Sequence, residues 1–180
     1  MVDIESSDGR VRKITSDDLE LVLAWRNHPE IRRHMFTQRE ITLDEHLLWF
    51  EGSRQDVTHQ LLVYERAGVA EGFVQFTGAY AGSAANWGFY AAPDSPRGTG
   101  KKLVRAALGF GFNTIGLHKI CGQALDFNIA SINLHLAVGF RQEGLLREQR
   151  LVGGSYCNLI YFGLLKSEWQ IQPQDEPDGL

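Results

Sequence analysis

The sequence predicts an α/β fold in which one sheet is covered by helices on both faces. Apolar runs of strand length, several with period-two alternation, occur before and after segments with helical periodicity. Their order along the chain is strand, two or three helices, three strands, helix, strand, helix and two strands. With 180 residues, of which 43% are hydrophobic and 22% charged, the chain has the size and composition of one globular domain.

The N-terminal third is predicted to form a short strand followed by helices. Pro29 disfavours helical geometry at His28, so the first helix should end near Asn27. Thr42 with Glu45 three residues later is a capping box, the pattern that begins a helix. The predicted elements are a strand over 11–14 and helices over 15–27, 30–35 and 42–52.

The rest of the chain alternates between strands and helices. Gly68 and the Gly153-Gly154 pair are turn signals between neighbouring strands. Gly139 is a typical residue for the end of a helix. The predicted strands are 59–65, 69–80, 85–91, 118–125, 145–152 and 158–165, and the predicted helices are 100–115 and 128–138.

Composition limits the function classes that fit this chain. Eighteen Lys and Arg against 22 Asp and Glu give a net charge of -4, which argues against a general nucleic-acid binder. No apolar run has the length of a membrane span, and the polar start 1–10 does not have the apolar core of a signal peptide. The two cysteines form no metal-binding motif, so we expect no metal and a cytoplasmic protein. Residues 1–10 and the acidic tail 169–180 are predicted to be flexible, which leaves one domain over 11–168.

A glycine-rich turn before the long helix is a candidate anion site. It reads Ser95-Pro-Arg97-Gly98-Thr99-Gly100-Lys101, and 95–120 contains five Lys and Arg and no acid. Glycines let a ligand approach the backbone, and a helix N-terminus offers free N–H groups to a phosphate. The spacing matches neither a P-loop nor a dinucleotide fingerprint. A plain turn between strand and helix is the alternative.

The helix over 128–138 is a second candidate segment. Asn128 and Ser131 lie where a helix is capped, and capping alone would explain both. His135 lies four residues after Ser131, on the same helical face. A lone helical histidine is more often a packed or exposed residue than a functional one.

Together the two segments resemble the GCN5-related N-acetyltransferase (GNAT) superfamily. That family has a Q/R-x-x-G-x-G/A loop and a later N-x-x-S-x-x-x-Y-x-x-x-G-F helix. Here Ser95 stands at the first loop position and His135 at the tyrosine. The resemblance implies a GNAT domain with a central, mostly antiparallel sheet, acetyl-CoA as cofactor and acyltransferase activity. The residues that it implies for the cofactor are Gly88, Phe89, Tyr90, Arg97, Gly98, Thr99, Gly100, Lys101, Asn128 and Ser131.

The N-terminal half is similar to the acetyltransferases of the pseudaminic-acid pathway. The matching stretches are Trp25-Arg-Asn-His-Pro-Glu-Ile-Arg-Arg-His-Met-Phe36 and Glu45-His-Leu-Leu-Trp49-Phe-Glu51. An amphipathic helical cap over the sheet would account for their apolar residues. The resemblance implies a small-molecule substrate, a UDP-linked 4-amino-sugar, acetylated on its amino group. The implied substrate-binding residues are Arg26, His28, Met35, Phe36, Trp49, Gln75 and Asn86.

The resemblance also assigns catalytic roles, with departures from the family. His135 would replace the tyrosine that protonates the leaving thiolate, since imidazole exchanges protons near neutral pH. Gln75 stands where related sugar acetyltransferases have a serine proposed as the base, and a carboxamide does not accept a proton. Water, Thr77 or His28 would then take the proton of the amine.

Two other functions and the oligomeric state stay open at this point. One alternative is an acetyltransferase for the termini of ribosomal proteins, and the other is a degenerate domain that binds CoA as a sensor. The family often forms homodimers, and the C-terminal hairpin could pair between two copies.

Overall fold

The structure is a computed structural model that describes residues 9–171. Residues 1–8 and 172–180, which belong to the ends predicted to be flexible, lie outside the described residues. The helices are α1 (Leu19–Asn27), α2 (Pro29–Arg32), α3 (Leu43–Gln55), α4 (Thr99–Gly109), α5 (Ile129–Ala137) and α6 (Lys166–Ile171). The strands are β1 (Arg10–Lys13), β2 (Gln60–Arg66), β3 (Val69–Thr77), β4 (Ala84–Ala91), β5 (Lys119–Leu125), β6 (Arg141–Val152) and β7 (Ser155–Leu165).

Seven strands of the described chain form one mixed sheet in the order β1-β2-β3-β4-β5-β7-β6. Neighbouring strands are antiparallel except β4 and β5, which are parallel. A parallel pair needs a crossover connection, and α4 supplies it between these two strands. The prediction of one domain with a central, mostly antiparallel sheet is confirmed.

Helices cover both faces of the sheet, as predicted. Strand β2 shows how the sequence arranges this, because successive side chains point to opposite faces. Leu62 and Tyr64 are fully buried in the cluster that includes the apolar side of α4. Leu61 and Val63 are buried in a second cluster, with apolar residues of α1, α2 and α3.

Predicted helix starts agree with the structure where a cap defines them. Thr42 and Glu45 form the capping box of α3, and the Asn128 side chain accepts from the Ser131 N–H at the start of α5 at 3.2 Å. Helix α1 ends at Asn27, as Pro29 predicts.

Several element ends differ from prediction. The 15–27 segment begins with a 3-10 turn before α1, and the last part of the 100–115 helix is a π-helical turn over Phe110–Ile115. Strands β6 and β7 begin four and three residues earlier than predicted. Helix α6 extends three residues into the tail that the sequence assigns as flexible, with Trp169 stacked on Phe112 at 5.3 Å between ring centroids.

Candidate active site

A cavity of about 770 Å³ opens where β4 and β5 separate. The two strands pair over Ala84–Asn86 and Lys119–Cys121, and beyond these residues both strands line the cavity. Its walls come from α1 to α3 on one side and from α4 and α5 on the other. A cavity of this size is in the range of small-molecule and cofactor sites.

Six of the ten residues predicted for the cofactor line the cavity: Gly88, Phe89, Tyr90, Gly100, Asn128 and Ser131. Phe89 packs with the α4 side of the sheet, whereas the Tyr90 ring packs on the other side, in the cluster with α1–α3. The unpaired edge of β4 therefore faces the same space as the N-terminal ends of two helices, which carry the positive end of the helix dipole. This arrangement offers N–H groups and apolar surface to an elongated, anionic ligand.

The glycine-rich turn lies at the end of this space, and four predicted residues in it do not line the cavity. Gly98 has a φ of 88°, a left-handed conformation that glycine adopts without strain, and this turn directs the chain into α4. Arg97, Gly98 and Lys101 are exposed, whereas Thr99 is buried. The first turn of α4 contains no acid, so anion binding at this turn depends on exposed cations and the helix end.

His135 lies on the inner face of α5 in an aromatic environment. Its exposure is 2%, and its ring stacks on Phe162 with centroids 4.7 Å apart. The Trp87 Nε1–H donates to His135 Nε2 at 3.2 Å, and Nδ1 is 2.8 Å from the Ser131 carbonyl oxygen. These contacts fit a neutral ring that carries its proton on Nδ1. Burial lowers the pKa of His135, although the Ser131 carbonyl opposes this shift.

Gln75 and Asn86 lie near the middle of the cavity. Gln75 is opposite Gly88 in the β3–β4 pairing, and Asn86 is opposite Thr77. The Gln75 Oε1 is 3.2 Å from His59 Nε2, a contact with a residue that precedes β2 and was not predicted to act. The partner of Gln75 in β2, Leu61, is buried with α1–α3, so the Gln75 side chain lies on that face of the sheet.

The side of the cavity toward α1, α2 and α3 contains four of the residues predicted for the substrate, Arg26, Met35, Phe36 and Trp49. His28 does not line the cavity: it is exposed, and its Nδ1 accepts from the Glu30 N–H at 3.3 Å as the cap of α2. The His28 side chain is thus engaged in capping α2 at a backbone N–H.

Three buried nitrogens on this side of the cavity have no hydrogen-bond partner among the described residues. They are Arg26 Nη1, His34 Nδ1 and His46 Nε2. His46 is 5% exposed and stacks on Trp49 at 4.9 Å, while the other terminal nitrogen of Arg26, Nη2, donates to the Thr37 carbonyl at 2.8 Å. A buried polar atom without a partner costs free energy, so these nitrogens are candidate contacts for a ligand.

Sequence reasoning did not identify His46 as a site residue. It lies inside the Glu45–Glu51 stretch that carries the resemblance, three residues before Trp49 and one turn into a capped helix. Residues three apart lie on one helix face, so the predicted role of Trp49 was the signal that could have found His46.

The charges on this side differ in how they are paired. Glu30 forms an ion pair with Arg33 and Glu45 one with Arg39, so both carboxylates near the cavity have a cationic partner. Arg26, in contrast, has no carboxylate partner among residues 9–171. Burial lowers the pKa of the Arg26 guanidinium, which remains charged at neutral pH, and it also lowers the pKa of His46, which favours the neutral ring.

The family model for the GNAT acetyltransferase domain matches residues 10–141. The chain therefore belongs to the GNAT acetyltransferase family, and the predictions of an acyltransferase domain and of acetyl-CoA as its donor are confirmed for that domain.

The matches to curated proteins cover only part of this chain and only part of each relative. An uncharacterized N-acetyltransferase of Bacillus subtilis, YokL, is 32% identical over 88 residues, 47% of this chain and 50% of that protein. The acetyltransferase PseH of Campylobacter jejuni is 24% identical over 123 residues, 68% of this chain and 76% of that protein. The uncharacterized protein MJ1062 of Methanocaldococcus jannaschii is 28% identical over 159 residues. The match covers 82% of this chain and 31% of that protein.

Solved structures confirm the fold. The spermidine N-acetyltransferase of Vibrio cholerae, determined with CoA and spermine, superposes with a TM-score of 0.84. It is 24% identical, and the match covers 92% of this chain and 99% of that one. At this identity the likeness establishes the architecture and leaves the acceptor to be argued from the residues of the cavity.

Two findings concern the described chain as a whole. None of its helices has the length and apolar character needed to cross a membrane. Among residues 9–171, no group of three or more His, Cys, Asp or Glu side chains is arranged to hold a metal ion.

Proposed function

We propose that this chain transfers the acetyl group of acetyl-CoA to an amino group of a small acceptor that carries phosphate, of the nucleotide-linked amino-sugar type. The observation that carries the proposal is the buried, unpartnered Nη1 of Arg26, with His46 Nε2 also unpartnered on the same side of the cavity.

The free guanidinium nitrogen of Arg26 fits an anion better than a cation. A guanidinium donates strong hydrogen bonds to phosphate oxygens, and the bond between charged partners is roughly twice as strong as a neutral one. A polycationic acceptor needs unpaired carboxylates, whereas Glu30 and Glu45 are already held by arginines. Relatedness to PseH over 68% of the chain supports the same choice.

Apolar and aromatic groups beside Arg26 complete a site for a nucleotide. Trp49 and Met35 are half-buried, and Phe36 is exposed on the cavity wall with Arg150 over its ring at 4.4 Å. Such rings offer flat surface to a base while a neighbouring cation holds the phosphate. On the opposite side, the edge of β4 at Gly88–Tyr90 and the starts of α4 and α5 would hold acetyl-CoA.

Acetyl-CoA supplies a thioester whose carbonyl carbon is attacked by the neutral amine. A C–N bond forms and the C–S bond breaks, so the nitrogen loses one proton and the thiolate gains one. In this proposal a backbone N–H near Gly88 polarises the carbonyl, and the cavity holds amine and thioester together. The predicted acid, His135, would have to give up its bond to Ser131 or to Trp87 before it could protonate the thiolate.

Turnover with a panel of amines tests the proposal. Purified protein is incubated with acetyl-CoA and a UDP-linked 4-amino-4,6-dideoxy-sugar, spermidine or a ribosomal-protein N-terminal peptide, and thiol release and acetylated product are measured. We expect the sugar nucleotide to give the highest kcat/KM. Product from the peptide or from spermidine alone would overturn the assignment, and tight CoA binding without any turnover would indicate a sensor.

Arg26→Gln tests the anion site within this reaction. Loss of a charged hydrogen bond of about 1.5–3 kcal/mol should lower kcat/KM for the sugar nucleotide about tenfold to hundredfold, with the KM for acetyl-CoA unchanged. Arg141→Gln is the matched control, because Arg141 is exposed and pairs with Glu168, and neither residue lines the cavity. Equal effects of the two substitutions would contradict a role for Arg26 in acceptor binding.

A polyamine acceptor is the second candidate, and one observation favours it. Glu30 and Glu45 border the cavity, and an ammonium group could displace their arginine partners. In that case Arg26→Gln should leave spermidine turnover unchanged or raise it, since the substitution removes a like charge from the cavity.

A further inference from the structure

Gln75 is held from outside the cavity. Its carboxamide lies over Gly88 of β4, where a Cβ would come within 3.6 Å of Gln75 Nε2. In the part of the chain that the structure describes, the amide has one hydrogen-bond partner, His59 Nε2, at 3.2 Å from Oε1. Strand β4 borders both sides of the cavity. The Gln75 amide therefore lies beside the point where acetyl-CoA and the amine substrate would meet.

His59 itself faces a different space. It is half-buried and lines a separate cleft of about 550 Å³ with residues of β1, α3 and the turn after α3. That turn is well fixed: the Asp56 carboxylate accepts from the Thr58 N–H and hydroxyl at 2.9 and 2.7 Å, and the His59 N–H donates to the Asp56 carbonyl at 3.0 Å. Among the hydrogen bonds of residues 9–171, the His59 ring reaches the cavity through Gln75, while the His59 backbone is held by this turn.

The orientation of a glutamine amide matters because its two ends differ. The carbonyl end accepts hydrogen bonds and the NH2 end donates two, and the last torsion of a free glutamine is broad. When His59 Nε2–H donates to Gln75 Oε1, the NH2 end faces Gly88 and the cavity. Such donors match hydroxyl, carbonyl or phosphate oxygens of an acceptor and disfavour an ammonium group.

We propose that His59 is a positioning residue that holds the Gln75 carboxamide with its NH2 end toward the reacting centre, where it selects acceptors with an oxygen beside the amine. The inference rests on the proposed acetyl transfer and deepens it. Gln75 would thus act in substrate selection. This role would replace the catalytic role that the resemblance assigns to it.

A double-mutant cycle tests the coupling between the two residues. kcat/KM is measured for glucosamine, an amine with neighbouring hydroxyl groups, in wild type, His59→Phe, Gln75→Leu and the double variant. We expect each single change to lower kcat/KM about tenfold, the loss of one hydrogen bond of roughly 1.4 kcal/mol, and the double variant to equal Gln75→Leu. Full additivity, or no effect of His59→Phe, would overturn the proposal.

His59→Gln supplies the conservative variant. Its side-chain amide can donate to Gln75 Oε1, so we expect it to recover most of the activity lost in His59→Phe. Equal losses in both variants would mean that His59 has a merely structural role. The CoA affinity of each variant checks that it is folded.

Gln75→Glu tests the direction of the amide. A carboxylate has no donor and attracts ammonium, so the ratio of kcat/KM for glucosamine to that for spermidine should fall about tenfold. An unchanged or higher ratio would contradict the NH2 end facing the cavity.

An NMR measurement separates this inference from the proposed function. The side-chain ¹⁵N–¹H₂ pair of Gln75, assigned by its loss in Gln75→Leu, should be shifted from free-glutamine positions in wild type and return to them in His59→Phe. This readout holds even if the sugar nucleotide is not acetylated. A pair that does not respond to His59→Phe would overturn the coupling by itself.

Discussion

Single residues determine how α5 packs against the sheet, and Gly122 is the one that makes room for His135. A Cβ built at Gly122 would lie within about 2.9 Å of three atoms, among them Trp87 Nε1 at 2.8 Å. The Trp87 to His135 hydrogen bond therefore passes directly over a glycine on β5. In this hydrogen bond the lone pair of His135 Nε2 is the acceptor. Nε2 is therefore not free to donate a proton.

Gly122→Ala should destabilise the fold by about 1–3 kcal/mol, because an extra methyl group in a well-packed core forces side chains to move. Denaturant unfolding measures this change. The matched control is Gly109→Ala in α4, which meets nothing within 4 Å and has a helical φ of -57°. That change should stabilise the fold by about 0.4–1 kcal/mol. A neutral Gly122→Ala would mean that His135 is not held as described.

The residue at which a helix begins determines which of its side chains face the cavity, as α3 shows. The Thr42 side chain accepts from the Glu45 N–H at 3.3 Å, and the Glu45 carboxylate accepts from the Thr42 N–H at 2.8 Å. The helix therefore begins at a defined residue, and this sets where His46 and Trp49 face the cavity.

Thr42→Ala should lower the free energy of unfolding by about 1 kcal/mol, the usual cost of losing an N-cap. Since the start of α3 then frays, we also expect a higher KM for the acceptor and an unchanged KM for acetyl-CoA. Thr42→Ser keeps the capping oxygen and serves as the control in both assays. A raised KM for both substrates would indicate a general loss of structure instead.

Across the whole molecule, buried histidines and paired carboxylates make stability depend on pH in two ranges. Burial lowers the pKa of His34, His46 and His135, so protons bind more readily to the unfolded chain. The hydrogen bonds from Arg12 lower the pKa of Asp18 and of Glu65. All five groups therefore favour folding at higher pH.

We expect the free energy of unfolding to be highest above pH 7 and to fall in two stages on acidification. The first stage lies below about pH 6.5, the ordinary histidine pKa, and the second below about pH 4, where carboxylates titrate. Urea unfolding between about pH 2 and pH 8 measures both stages. His135→Gln should flatten the first stage and leave the second; a steeper first stage in that variant would contradict the sign of the shift.

Local patterns in this chain were informative wherever one residue type has one strong physical preference. The Thr42 capping box, the end of α1 before Pro29 and the glycine turn at Gly98 that leads into α4 were all predictable. The family resemblance rested on such spacings, and the domain match confirmed it. The extra helix α6 was missed, because the pattern of its six residues is too short to distinguish from a tail.

The sequence by itself determined the family and the order of most elements. The tertiary structure decided which polar atoms remain without partners, since that depends on neighbours far apart in the chain. Trp87 and His135 are 48 positions apart, and so their hydrogen bond left no local signal. For the same reason only the folded chain shows that the Arg26 guanidinium and His46 share one side of the cavity, that His28 caps a helix instead, and that His59 supports Gln75 from outside.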